Sequence, residues 1–348
     1  MITYKPQTGL SFKIVTSIFL SISFILLVIF LYNYNVTRTI IEKNIEDNAE
    51  NLAQNKINQV EKVLISVEKV PQNIANLIEK ISYTEEQLVE ILNTMVGEND
   101  EIYGATIAFE PFMFDKNRKY FAPYVYKSFG SLKAVSLGTE TYNYHFADWY
   151  TKPKSLGKAV WSEPYFDKGG GNVIMSTFSV PIFRTIDGQR KIIGIITSDI
   201  SLEWLDQIVS TIKVLETGYG FLISKEGRLI TYPEIEKIMN YTIFDLARSL
   251  KSPQLDQVAN KMTKGQTGFA KINYTDGTNG IVNWIYYASI PHNGWSLAVM
   301  YPLDELTGEL DSLSRKIIAL SVFGIVILFA VIMIISKSIT RPLTKLSI

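Results

Sequence analysis

Along the 348 residues, hydrophobic positions follow three different patterns. Two runs are almost wholly apolar. Residues 14–32 (IVTSIFLSISFILLVIFLY) hold no charge, proline or glycine, and at about 1.5 Å per residue such a helix crosses roughly 30 Å of hydrocarbon. A second uncharged run, residues 317–336, lies between Arg315, Lys316 and Lys337, Arg341. Each predicts a transmembrane helix, because buried helices of soluble proteins seldom hold more than about 14 such residues in a row. The first run exceeds the roughly 7–15 apolar residues of a signal peptide and has no small-x-small cleavage pattern after it, so it is expected to stay as an anchor.

The second pattern has a helical period. Ile41, Ile45, Ala49, Leu52, Ile57, Val60, Leu64 and Val67 recur mostly at spacings of three and four, which predicts a long amphipathic helix leaving the first span. Pro71 is expected to kink or break it, with Ile74, Leu77 and Ile78 resuming the stripe. The stripe would serve either as a homodimer seam or as a face docked on the chain's own sheet. Beyond residue 100 the period shifts toward two, predicting strands at 103–109, 119–126, 172–183 and 191–197. A helix over 202–214 is followed by strand, turn and strand over 218–233, a helical pattern over 240–263, and further strands up to Pro302. The order helix, sheet, helix, sheet gives an α+β class with two stacked antiparallel-sheet modules on a helical spine.

Charge and composition narrow the function. Lys and Arg total 34 against 34 Asp and Glu, so the chain is formally neutral and lacks the basic excess that a nucleic-acid partner would require. There is no cysteine and only two histidines, His145 and His292, which excludes thiolate metal sites, disulfides and a cysteine nucleophile; no metal or other cofactor is expected. No phosphate-binding GxxxxGK[ST] loop occurs, and Gly218-Tyr-Gly220 is too short to suggest one. Basic residues tie across the first span, Lys5 and Lys13 against Arg38 and Lys43. Lys337, Arg341 and Lys345 after the second span tip both ends toward the cytoplasm, leaving residues 33–316 outside it.

The strings IYGATIAFEP, DWYTKPK, WSEPYFDKGGG, STFSVPIF, GIITSDISL and GWSLAVMYPLDEL resemble the double Cache sensor domains of bacterial transmembrane receptors, over residues 34 to about 312. SITRPLTKL at 338–346 resembles the opening of a HAMP linker, with Pro342 at a first-turn position that tolerates it. The early helical stretch and WSEPYFD look most like sensory halves attached to SpoIIE-like serine phosphatases and histidine kinases. The resemblance implies two PAS-like modules, membrane-distal (101–214) and membrane-proximal (215–312), after a cytoplasmic N-terminus (1–13), the first span (14–32) and a helical spine (33–100). After them come the second span (317–336) and the linker start (337–348). It implies a two-pass receptor of the bacterial inner membrane, in contact with lipid, homodimeric, sensing a small solute. Input and transmission are expected in this stretch, without a catalytic output domain. A tethered enzyme or a partner-binding module remains as an alternative class.

In such receptors the ligand lies in the distal module, which points to Asp148, Trp149 and Tyr150, then Trp161 and Tyr165, with Asp199 closing a strand. Aromatic faces attract an ammonium by roughly 0.5–2 kcal/mol, and a buried carboxylate supplies its countercharge, so an amine-bearing polar solute fits. Amino-acid-binding members carry an arginine two positions before the Trp-Tyr pair; Ala147 stands there, which argues against an ordinary α-amino acid. Each residue also has a structural reading. Trp149, Trp161 and Tyr165 could fill a core, Asp148 could be solvated, and Asp199 could cap the helix at 202, as could Ser201. Asp167-Lys-Gly-Gly-Gly reads as a hairpin turn rather than an anion nest, and His145 as a polar liner.

Overall fold

The computed structural model describes residues 10–139, 142–276 and 279–345, with side chains for all of these except 10–15, 275, 276, 279–281, 304, 306–314 and 336–345. Most of the expected N-terminal tail, and the side chains of the HAMP-like string around Pro342, therefore lie outside the described residues. The chain divides into two compact units: Ala49–Leu303, and the stretches before and after it. In the latter, helices α1 (Leu10–Ile78) and α7 (Leu303–Lys345) each contain a segment long and apolar enough to cross a membrane. The rings of Phe19 and Phe329 meet edge to face there, 5.2 Å between centroids.

The amphipathic stripe is buried within the chain itself: Ala49, Ala53, Ile57, Val60, Leu64 and Val67 are all inaccessible or nearly so. Contrary to the expectation of a break, α1 runs on through Pro71 to Ile78. Proline has no N–H, so the carbonyl four residues earlier, that of Val67, loses its usual partner. The hydroxyl of Ser198 donates to that carbonyl at 2.8 Å and removes the orphan.

After α1 comes α2 (Glu85–Gly97), held at its start by a Thr84/Gln87 capping box. The first sheet contains β1 (Gly104–Phe109), β2 (Pro123–Ser128), β3 (Ser131–Ser136), β4 (Val160–Trp161), β5 (Tyr165–Phe166), β6 (Ile174–Ile186) and β7 (Gln189–Ser201). Its order is β3-β2-β1-β7-β6-β4, with β5 also on β6, and every pairing is antiparallel. Helix α3 (Asp148–Leu156) lies between β3 and β4, and α4 (Leu202–Val209) follows β7. Alternation divides the sheet. Ala105, Ile107, Phe109, Phe178, Val180 and Ile196 share a core with Val67 of α1 and Leu88, Leu92 and Met95 of α2. Ala108, Tyr124 and Ile195 share one with Trp149 and Tyr150 of α3.

The second sheet has β8 (Lys213–Val214), β9 (Gly218–Ile223), β10 (Leu229–Thr231), β11 (Gly268–Asp276), β12 (Asn279–Ser289) and β13 (Ser296–Pro302), in the order β10-β9-β13-β12-β11 with β8 on β9. Helices α5 (Ile243–Ser249) and α6 (Pro253–Met262) pack on it through Ile243, Leu246, Leu255, Val258 and Met262. The single helix expected over 240–263 is thus two. Lys251 takes a left-handed conformation (φ 50°), and Ser252 caps a new helix with Pro253 at its first position. The helix expected over 202–214 stops at Val209, and Lys213–Val214 joins the second sheet. The α+β class and the two-sheet plan agree with the sequence reading.

Candidate solute-binding cleft

Strand register assembles a polar cluster on the α3 side of the first sheet. Asp199 on β7 stands opposite Thr177 on β6 and Gly104 on β1. The Thr177 hydroxyl donates to Asp199 Oδ1 at 2.7 Å, which leaves its oxygen to accept from the Tyr165 hydroxyl at 2.8 Å. The buried Tyr124 hydroxyl comes close enough to interact with the same carboxyl electrostatically, without a hydrogen bond of ordinary geometry. Gly104 makes this approach possible, because a Cβ there would collide with that hydroxyl. Ser201, not Asp199, caps α4, through a bond from the Trp204 N–H.

A second carboxylate lies nearby. Asp167 follows β5 and is 4% exposed. Its Oδ1 accepts from the Tyr142 hydroxyl at 2.9 Å and its Oδ2 from the Gly171 N–H at 2.7 Å. The turn predicted at Asp167-Lys-Gly-Gly-Gly is present, but its first residue turns inward instead of serving the turn alone. Burial pushes Asp199 up to about 8; the Thr177 and Tyr124 hydroxyls pull it down, and the neighbouring Asp167 raises it further. Burial and the same two carboxyl groups hold Tyr124 and Tyr165 well above an ordinary phenol, and Tyr103 is pushed up to about 12.

A cleft of about 570 Å³ opens over this cluster. Its walls include Tyr142, Trp149, Tyr165 and Asp167 from the first module and Arg228 from the β9–β10 turn of the second. Of the residues singled out in the sequence, Asp148, Trp149 and Tyr165 line it. Asp148 sits on the rim, its side chain 75% exposed and paired with Lys152 at 3.1 Å. Asp199 does not line the cleft; it lies beneath Tyr165, joined to it through Thr177. Tyr150 does not line it either: its hydroxyl donates to Glu110 at 2.6 Å and its ring packs on Tyr144 and His145. Trp161 is on the opposite face, donating through Nε1 to Glu68 of α1 at 2.6 Å, with its ring against Phe178 and Trp295. Glu68 also meets His292 of the second module at 2.7 Å. His145 stands outside the cleft, against the rings of Tyr120, Tyr144 and Tyr150.

Sequence reasoning missed Asp167, Tyr142, Tyr124 and Thr177 as members of the cluster. For Thr177 the signal lay in the register, since it faces Asp199 across two long strands. In chemical terms the cluster offers acceptors and aromatic faces, an arrangement suited to a cation. Ala147, at the start of α3 and on the cleft wall, contributes only a methyl group.

Residues 88–207 match the family of the methyl-accepting chemotaxis protein-like first PDC sensor domain. The chemotaxis protein McpC of Bacillus subtilis is 23% identical over 208 residues, 60% of this chain, and the match spans 28% of McpC. The crystal structure of the extracellular domain of the putative histidine kinase mmHK1S-Z3 superposes with a TM-score of 0.66 at 24% identity, over 77% of this chain and 98% of that domain. The ligand-binding domain of the Pseudomonas aeruginosa amino acid chemoreceptor PctB, solved in complex with L-Arg, has a TM-score of 0.54 at 16% identity, over 76% and 97%. At these identities the solved structures establish the fold alone. The relatives are chemoreceptors and the sensor domains of histidine kinases, and the chain has the fold of those sensor domains.

Proposed function

We propose that this chain is the sensory part of a two-pass receptor of the bacterial inner membrane that binds a small amine-bearing solute. Residues 33–316 lie outside the cytoplasm and both ends inside, as the flanking basic residues favour. The first module (101–214) receives the solute. The second (215–312), the second span and a HAMP linker from residue 337 carry the change to an output domain of phosphatase or kinase type, within a homodimer. The two apolar helices and the likeness to chemoreceptor and kinase sensor domains support this reading.

The observation that carries it is the pair of buried carboxyl groups, Asp167 and Asp199, beneath an open cleft walled by Trp149, Tyr142 and Tyr165. Burying two acids side by side is costly unless a cation offsets them. An ammonium in the cleft would meet Asp167 and the aromatic faces directly and would favour the ionised form of Asp199 behind Tyr165. Tyr150 and Trp161, despite their place in the motif, serve the packing of α3 and the contact with α1.

The test uses the full chain in lipid nanodiscs, screened by thermal shift against primary amines, amino acids and small carboxylates. At least one amine is expected to raise the melting temperature, and Asp167→Asn and Asp199→Asn are each expected to abolish that rise while keeping the parent's circular dichroism. Equal shifts in parent and variants would remove both acids from the site.

A further inference from the structure

The cleft lies between two modules, so its width depends on how they are held against each other. Its front edge brings Ser162 and Glu163, which follow β4, against Glu226 and Arg228 of the β9–β10 turn. Behind β4 the same stretch is fastened differently. Trp161 gives its indole N–H to Oε1 of Glu68 on α1 at 2.6 Å, and Oε2 of that carboxyl pairs with Nε2 of His292 at 2.7 Å. One side chain of the spine thus holds the first module with one oxygen and the second with the other. That side chain is only 11% exposed, so water competes little for either bond.

Both partners are set rigidly. Ser162, next to Trp161, is tied to β6 by three bonds: its N–H donates to the Thr177 carbonyl at 2.9 Å, its hydroxyl accepts from the Thr177 N–H at 3.0 Å and its carbonyl from the Ser176 hydroxyl at 2.9 Å. His292 sits in the β12–β13 turn, where the Ile290 N–H donates to the Trp295 carbonyl at 2.7 Å and the Gly294 N–H to the Ile290 carbonyl at 3.0 Å. Two further contacts between the modules are apolar: the rings of Trp161 and Trp295, 6.0 Å apart, and α4, which lies against strands of both sheets. Apolar packing holds surfaces together but leaves them free to slide, whereas hydrogen bonds to a carboxylate fix direction.

We infer that Glu68 is the hinge pin of the cleft: by holding Trp161 and His292 at once it fixes the angle between the modules, and with it the width of the cleft, so that opening or closing pivots on this carboxyl. The pin acts on the frame around the cleft, whatever solute enters it.

The chain has no cysteine, so a single pair of spin labels can be introduced through Ser155→Cys on α3 and Gln257→Cys on α6, both at exposed positions. Distances are read by pulsed electron spin resonance on the full chain in nanodiscs, without solute, diluted with unlabelled chain so that each pair lies within one molecule. The parent is expected to give one narrow distance band. Glu68→Leu and His292→Leu should each widen it about twofold or more, or split it, as a freed hinge would. Glu79→Leu, which removes an acid bound to Arg190 and to the Phe183 N–H within the first module, should leave it narrow. Circular dichroism reports whether each variant is folded; should Glu68→Leu fail to fold, His292→Leu carries the test from the half-exposed turn. A wide band in the parent, an unchanged band in folded Glu68→Leu or His292→Leu, or equal widening in Glu79→Leu overturns the inference, and none of these results bears on whether an amine binds.

Discussion

The two modules share an antiparallel sheet plan but treat one face of it in opposite ways. On the second sheet, α5 and α6 press Ile243, Leu246, Leu255, Val258 and Met262 onto Phe221, Ile223, Ile272 and Ile285, and the space is filled with hydrocarbon. On the first, α3 covers only part of the sheet, and beside it lie Thr177, Asp199, Tyr165 and Asp167 under an open cleft. Both sheets hold together by burying apolar area. Among the described residues the first gives up part of that gain to keep Asp167 and Asp199 out of water.

The largest effect that would test this contrast is a pH dependence. The folded value of about 8 for Asp199 lies above its ordinary 3.8, so between those limits the folded state holds a proton that the unfolded state has lost. Stability therefore falls as pH rises from about 4 to about 8, by up to about 1.4 kcal/mol per unit, and is flat above. Asp199→Asn should remove this slope and be more stable than the parent at pH 8, read by chemical denaturation of the full chain in micelles. A parent curve that is flat across the window would mean the acid is not desolvated. Next, Phe221→Ala in the filled second module should cost about 3–5 kcal/mol by the same assay, with no change in the pH slope. Glu68→Ala, which strands the Trp161 indole N–H between the modules, should cost about 1–3 kcal/mol. Smallest of all, Lys152→Met removes an ion pair whose partners are both exposed on the cleft rim and should change stability by less than about 0.5 kcal/mol.

Much of the scaffold was legible because burial repeats with the period of the element. The strands of both sheets, the long stripe of α1 and the motif residues Trp149, Tyr165 and Asp199 all came from spacing, residue type or the resemblance those strings carry. What escaped depended on partners remote in sequence. Pro71 reads as a helix breaker until a hydroxyl 127 positions away is seen to satisfy the freed carbonyl, a link made by folding alone. Trp161 and Tyr165, four apart, would face the same way in one continuous strand. Ser162, Glu163 and Pro164 split them into β4 and β5, so that Trp161 pairs with Phe178 but Tyr165 with Met175, and the two rings emerge on opposite sides. Asp167 was hidden by its own glycines. An aspartate before a glycine run is ordinary turn chemistry, and here Gly170 is also needed because a Cβ at that position would strike the Asp167 carboxylate.

Ser198 and Asp199 are consecutive on β7, so their side chains leave the strand in opposite directions. One ends in the carboxyl cluster; the other is the rivet that closes the gap Pro71 leaves in α1. A solute that drew the carboxyl by a few tenths of an ångström would tug on the spine at the single turn where it cannot mend its own ladder. The proline thus converts an otherwise stiff rod into one with a soft spot, held by a hydroxyl one peptide unit from the buried acid.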